Sequence, residues 1–194
     1  MSEILPIHYA LSEAAIVAAG GYAFAKAWPV NRWFAIGLAA VALAGLIAVI
    51  RIVAGITGSI VTLHEFLSRI GSIFGFGCIF GAMLMRGQIL PPLLGLAAAT
   101  LVFFVPAFST PLFGVFIIGG AVLAYRCAPN LKLLAAGSFA FLVCSALFSA
   151  PLRSSYPDIG WHMFHILVAL WFVLIATFVS IPPGDPPQLL KTVA

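Results

Sequence analysis

Three histidines in this sequence have the residue type and the spacing to bind a metal ion. His162 and His165 are three residues apart, so in a helix they lie on one face and can converge on one ligand. His64 can supply a third nitrogen from another segment. Three protein ligands and one vacant position are typical of catalytic zinc, which lowers the pKa of its bound water to about 7. The first hypothesis is therefore a zinc site formed by these three residues.

Three carboxylates lie in or beside the same hydrophobic segments: Glu13, Glu65 and Asp158. Each could orient a histidine or act as the general base of a hydrolytic reaction. A purely structural interpretation stands beside this one. Glu65 and Arg69 have the i, i+4 spacing of an ion pair on one helix, and Arg51 could pair with Glu13.

The composition predicts that most of the chain is dissolved in a lipid bilayer. Hydrophobic residues make up 63% of the sequence and charged residues 7%, whereas soluble domains have about 45–50% and about 25%. So few charges could not cover the surface of a water-soluble fold. The length allows one domain, and the absence of a basic run argues against a nucleic-acid partner.

Apolar runs bounded by charged residues, Pro or Gly predict an all-α bundle of seven transmembrane helices within a single domain, residues 1–194. The approximate ranges of the seven segments are 9–27, 33–52, 60–85, 89–106, 111–126, 131–150 and 159–181. A proline-rich tail, residues 182–187, cannot be helical and ends the last segment. The fourth and fifth segments could instead form a re-entrant hairpin.

The distribution of Lys and Arg predicts the orientation of the bundle. The basic residues on the side of loops one, three and five and of the C-terminal tail are Lys26, Arg32, Arg86, Arg126, Lys132 and Lys191. The opposite side carries Arg51 and Arg153, with Arg69 inside the third segment. Because cytoplasmic loops are enriched in Lys and Arg, we predict an external N-terminus and a cytoplasmic C-terminus in a bacterial inner membrane.

This topology brings ionisable residues from three helices to one depth. At about 1.5 Å per residue, Glu13, His64, His162 and His165 lie roughly 5–10 Å below the outer surface. Ionisable residues within a membrane span are costly, so they usually face the bundle interior and mark a functional site. We therefore expect one shared site in the outer half of the bundle.

The third segment carries small residues at helical spacing. The glycines of this pattern are Gly71, Gly75, Gly77 and Gly81. Such patterns let helix backbones approach closely within lipid. We therefore predict that the third helix crosses its neighbours in tight contact.

The stretch 158–170, DIGWHMFHILVAL, resembles the last span of the CREST superfamily, which includes alkaline ceramidases and the progestin/adipoQ receptors. An aromatic residue before His165 and an apolar run after it are similar to the family's last-span motif. Ser59 before His64 is similar to its serine–histidine motif. The resemblance implies a seven-helix membrane protein whose zinc is held by one histidine from an early span, here His64, and two from the last, here His162 and His165. The family's paired histidines are four residues apart, whereas these two are three apart.

Three functions are compatible with these residues. The leading hypothesis is a membrane-embedded, zinc-dependent hydrolase that cleaves a lipid amide or ester, with membrane lipid as its surroundings and its substrate. The second is a haem b-binding electron-transfer protein with His64 and His165 as axial ligands. The third is a non-enzymatic protein such as a small transporter, a receptor-like module or an assembly subunit. No segment has the central Gly-Pro interruption that would favour a transporter, and the oligomeric state stays open.

Overall fold

The computed structural model describes residues 5–85, 89–128, 130–149 and 154–179. Within these ranges the chain forms helices and turns and contains no strand. The α-helices are α1 (Tyr9–Ala27), α2 (Arg32–Ala54), α3 (Ser59–Phe66), α4 (Ser72–Leu84), α5 (Leu90–Phe104), α6 (Ser109–Cys127), α7 (Lys132–Ser138), α8 (Ala140–Ser149) and α9 (Pro157–Phe178). A π-helical turn, Leu67–Gly71, joins α3 to α4, and a 3-10 turn, Pro106–Phe108, precedes α6.

Several of the sequence predictions fall outside the described residues. Arg86, Arg153 and Lys191, which contribute to the predicted orientation, are among them. The proline-rich tail and the predicted ends of the sixth and seventh segments, residues 150 and 180–181, also lie outside these ranges.

Four helical stretches are long and apolar enough to cross a bilayer. They are Arg32–Ala54, Ser59–Leu84, Pro106–Cys127 and Pro157–Phe178. At about 1.5 Å per residue, even a 22-residue stretch exceeds the roughly 30 Å of the hydrocarbon core. The all-helical fold and these stretches agree with the prediction of a membrane protein. A count of seven spans stays a prediction, because α1 is not in this group and the apolar helices Leu90–Phe104 and Lys132–Phe148 are shorter.

Local sequence signals set the ends of the helices that position the site. The Asn31 side chain accepts a hydrogen bond of 2.9 Å from the Phe34 backbone N–H and so caps the start of α2. Gly55, with φ of +62°, ends the same helix in the left-handed region that glycine adopts readily. Pro157 occupies the first turn of α9, where no intrahelical N–H is needed.

The centre of the fold is an apolar core between α1, α2, α4, α8 and α9. Its largest fully buried side chains include Trp171 and Phe172 on α9, Leu38 on α2 and Ile79 on α4. α2 packs against both α1 and α4, and α9 packs against both α1 and α8. This arrangement places α1 between α2 and α9, so a polar group on α1 is buried against two helices.

Glycine contacts bring α2, α4 and α5 together at backbone distance. A Cβ atom added at Gly75 would lie 2.5 Å from the carbonyl oxygen of Gly37 on α2. A Cβ atom added at Gly77 would lie 2.7 Å from Cα of Gly95 on α5. Both distances are too short for any side chain larger than hydrogen. The predicted close crossing of the third segment is therefore confirmed at these two positions.

The other two glycines of the pattern differ from each other. A Cβ atom at Gly81 would lie 2.7 Å from Cα of Pro91, so this position also needs glycine. At Gly71 the nearest atom would be Cδ2 of Leu67 at 3.5 Å, which is an ordinary van der Waals contact. The close contacts thus lie in α4, beyond the π-helical turn.

We expect Gly75→Ala to destabilise the protein, because the new methyl group would force α2 and α4 apart. Overpacking of this kind typically costs about 1–3 kcal/mol, while alanine by itself favours a helix by about 0.8–1 kcal/mol over glycine. Thermal unfolding in detergent measures the difference. Gly21→Ala is the matched control, since nothing lies within 4 Å of a Cβ atom there. Equal stability of the two variants would contradict the backbone contact.

Candidate functional site

A cavity of about 630 Å³ opens in one half of the helix bundle. It lies between the first halves of α1 and α9, the middle of α2, the stretch from α3 to α4, the first turn of α6 and the middle of α8. Its polar lining residues are Glu13, His64, Ser68, Arg69, Ser72, Ser109, Thr110, Ser145 and His165. Of the four residues that the sequence predicted to share one site, Glu13, His64 and His165 line this cavity and His162 does not.

The third helical stretch supplies a row of lining residues that are four positions apart. The row contains His64, Ser68, Ser72 and Phe76. In a regular α-helix such a row turns by about 40° at each step, so it would rotate away from the cavity. The wider π-helical turn at Leu67–Gly71 counters part of this rotation, and the row stays on the cavity wall.

The centre of the polar wall is a buried pair formed by Glu13 of α1 and His165 of α9. The two side chains are 2% and 9% exposed, and Nε2 of His165 lies 2.9 Å from Oε1 of Glu13. This oxygen makes no hydrogen bond of good geometry within the described ranges, so the imidazole is its close polar neighbour. Gly45 on α2 lies beside the carboxylate, since a Cβ atom there would be 3.4 Å from Oε2, an ordinary van der Waals contact.

The hydrogen bond from Nδ1 of His165 fixes which ring nitrogen carries a proton. Nδ1 of His165 lies 2.6 Å from the carbonyl oxygen of Trp161. A carbonyl only accepts, so Nδ1 carries a proton and Nε2 of the neutral ring has a lone pair. A lone pair and an ionised carboxylate would repel each other at 2.9 Å. A proton on Glu13 or on Nε2 of His165 would remove this repulsion.

His64 is oriented by Arg51 from the end of α2. Nη1 of Arg51 lies 3.2 Å from Nδ1 of His64. An arginine only donates, so Nδ1 is the acceptor and Nε2 of the neutral ring carries the proton. His64 therefore offers a donor, with a positive charge behind it. The alternative pairing of Arg51 with Glu13 is not formed.

His162 contacts a different partner and does not line the cavity. Its Nδ1 lies 3.0 Å from Oγ of Ser12 on α1. The Ser12 hydroxyl donates to the backbone oxygen of Tyr9, so it accepts from the imidazole. Although His162 and His165 both face α1, they contact different residues of that helix.

The two other predicted carboxylates lie outside the cavity. Asp158 is exposed at the start of α9, where it accepts a hydrogen bond of 2.6 Å from the Tyr9 hydroxyl, and His8 Nε2 lies 3.6 Å away. Glu65 is exposed, and no ion pair joins it to Arg69 in the part of the chain that the structure describes. Of the three carboxylates, Glu13 is the one placed to act on a molecule in the cavity.

The residues present do not fit the predicted zinc ion or haem. Nδ1 of His165 is on the carbonyl oxygen of Trp161, its Nε2 faces Glu13 at 2.9 Å, and His162 lies outside the cavity with Nδ1 on Ser12. The described residues contain no group of three His, Cys, Asp or Glu side chains that could hold a metal ion. Axial ligation of haem by His64 and His165 would likewise require the buried pair to separate.

Sequence reasoning missed the hydroxyl groups of the cavity. Ser68 and Ser72 continue the spacing of four residues from His64 within an otherwise apolar stretch, and this periodicity could have identified them. Ser109 and Ser145 carry no comparable signal, because only the packing of α6 and α8 brings them to the cavity.

The functional assignment rests on the cavity, because comparison with known proteins found no match. The chain matches no protein-family model, no curated protein and no solved structure. The implied relationship to the CREST superfamily therefore stays a prediction, and function is argued below from side-chain geometry.

We expect Glu13→Ala to destabilise the protein more than Glu13→Gln. The alanine variant leaves Nε2 of His165 buried without a partner, which typically costs about 1–3 kcal/mol. The glutamine amide can donate to that nitrogen and keeps the volume of the side chain. Thermal unfolding in detergent compares the two, with Glu65→Ala as the control because Glu65 is exposed. A loss in Glu13→Ala no greater than that in Glu65→Ala would contradict a stabilising pair.

Proposed function

We propose that the protein is a multi-pass membrane transporter that moves a small solute together with a proton. The buried Glu13–His165 pair is the observation that carries this proposal. Acidic residues and histidines buried within membrane spans are typical of proton pathways in pumps and transporters.

The pair can change its charge in response to a solute. With one shared proton its net charge is zero, a second proton makes the pair positive, and loss of the proton makes it negative. Both residues line the cavity, so a charged or polar solute there changes the free energies of these states. Binding of the solute and binding of the proton are therefore thermodynamically linked.

The cavity has the size and the lining of a small-molecule site. Its volume of about 630 Å³ lies within the range of roughly 300–1,000 Å³ that is usual for such sites. Apolar side chains form most of the lining, and the polar groups gather around Glu13, His64 and His165. This combination favours an organic solute over a simple ion.

Two helical stretches beside the cavity are irregular. The π-helical turn Leu67–Gly71 separates α3 from α4, and Phe139 separates α7 from α8. π-helical turns occur frequently at functional sites. Both stretches remain helical through these positions, Ser59–Leu84 and Lys132–Phe148, so the support for transport from this feature is the π-helical turn beside the cavity.

For the membrane placement we propose seven spans, an external N-terminus and a cytoplasmic C-terminus in a bacterial inner membrane. Three basic side chains lie over aromatic rings at the end of the bundle away from the cavity: Lys26 over Tyr22 at 5.9 Å, Arg32 over Trp28 at 5.6 Å, and Lys132 over Tyr125 at 5.5 Å. Aromatic and basic residues concentrate at the interface, and basic residues favour the cytoplasmic side. The cavity then faces the exterior.

The zinc-dependent hydrolase and the haem protein are less well supported. Each requires His165 to bind a metal with a nitrogen that already has a partner. The hydrolase further requires three ligands around one ion, and the described residues contain no group of three His, Cys, Asp or Glu side chains that could hold a metal ion. We therefore favour transport, the non-enzymatic alternative.

We expect a small organic solute added outside proteoliposomes to drive protons into vesicles that contain the purified protein. An anion, a cation and a neutral molecule should be tested, with the pH dye pyranine inside the vesicles and protein-free vesicles as the blank. His165→Gln should abolish the proton movement, because the remaining carboxyl group cannot share a proton with an amide in the same way.

His8→Gln is the matched control for loss of a histidine. His8 is half-exposed and lies against Asp158 outside the cavity, so the variant should keep the proton movement. Proton movement at an unchanged rate in His165→Gln vesicles would contradict the proposal. So would the absence of protein-dependent movement with all three solutes.

We expect reporter fusions to place the two termini on opposite sides of the membrane. Alkaline phosphatase, which is active only outside the cytoplasm, should be active at the N-terminus, behind a leader that exports it, and inactive at the C-terminus. Green fluorescent protein should give the reverse pattern. Both termini on one side would contradict seven spans.

A further inference from the structure

Arg69 lines the cavity, and its side chain is exposed. It lies ten residues from Ser59 in the stretch that ends at Leu84, which corresponds to a depth of about 15 Å. Its guanidinium forms no ion pair with an acidic side chain of the described residues. A cation at this depth is costly in lipid and normally has a counter-charge, so Arg69 leaves a charge for a ligand to neutralise.

The other titratable groups of the cavity do not neutralise Arg69. Glu13 is the acidic residue of the described cavity wall, and its carboxyl group faces Nε2 of His165 at 2.9 Å and makes no ion pair with Arg69. His64 presents a donor, since its other nitrogen accepts from Arg51 on α2. Arg69 and the His64 donor both attract negative charge.

The apolar part of the cavity is rich in aromatic rings. Phe76 of α4 and Phe113 of α6 meet edge to face, with ring centroids 5.0 Å apart. Phe164 of α9 lines the same space. These rings offer a flat apolar body a surface to pack on, while the hydroxyl groups of Ser68 and Ser72 lie on the helical stretch that carries Arg69.

We infer that the cavity binds a small organic anion, with its acidic group at Arg69 and its apolar body against Phe76, Phe113 and Phe164. The inference rests on the transport function proposed above and names the class of the solute. The His64 donor and the serine hydroxyl groups add hydrogen bonds to the anion. A bound anion also favours a second proton on the Glu13–His165 pair, so the charge of the ligand explains the direction of the coupling.

Three ring compounds of nearly equal shape and different charge test the inference. Benzoate is an anion, benzylamine is a cation and benzyl alcohol is neutral at pH 7. Their binding to the full chain in detergent can be measured by isothermal titration calorimetry, with protein-free micelles as the blank. We expect saturable binding of benzoate and weaker binding of the other two compounds.

Two substitutions of Arg69 separate its charge from its shape. Arg69→Gln should weaken benzoate binding by about tenfold or more, as expected for loss of a charged hydrogen bond. Arg69→Lys keeps the charge and should retain most of the affinity. Arg32→Gln is the control for net charge, because Arg32 lies over Trp28 at the far end of the bundle.

Each outcome of these measurements supports or overturns the inference. Stronger binding of benzylamine than of benzoate, an unchanged benzoate affinity in Arg69→Gln, or no saturable binding of benzoate would overturn it. The transport proposal is tested separately. Proton movement that benzylamine drives and His165→Gln abolishes would preserve transport and exclude the anion.

Discussion

The burial of Glu13 against His165 is the constraint on which the arrangement of the bundle depends. Two titratable side chains in an apolar interior are stable only when they satisfy each other, because an isolated ionised group there is very costly. The contact joins α1 to α9, and the carbonyl oxygen of Trp161 fixes the ring that makes it. A shift of either helix by one residue would separate the two groups, so the pair sets the register of α1 on α9 and places the cavity wall.

The two halves of the bundle are built differently. In one half, Gly75 and Gly77 bring α4 into backbone contact with α2 and α5, which leaves no space between these helices. In the other half, the same helical stretch carries His64, Ser68 and Arg69 on the cavity wall. The π-helical turn lies between the two regions. One continuous stretch thus closes the bundle at one end and forms a polar site at the other.

The apolar segments and glycine spacing predicted the helices well, since hydropathy and close packing depend on residue type alone. The common depth of Glu13, His64 and His165 also follows from counting along helices. The sequence could not assign His162, which is about 60° from His165 around the helix axis and contacts Ser12 instead of the cavity. That choice depends on which residues of α1 face α9, and on hydroxyl groups that have no periodic signal.

Whether His165 suits a metal site or a proton site depends on what its Nε2 nitrogen contacts. In metal sites, one histidine nitrogen binds the ion while the other donates to a carbonyl or a carboxylate, and the Trp161 contact satisfies that second requirement. The nitrogen that would bind the ion faces the Glu13 carboxyl group at 2.9 Å. A zinc site would need two further ligands beside these two atoms, and the described residues contain no group of three His, Cys, Asp or Glu side chains that could hold a metal ion. The close approach of a carboxyl group and an imidazole, without further metal ligands, is the geometry from which the proton role is proposed.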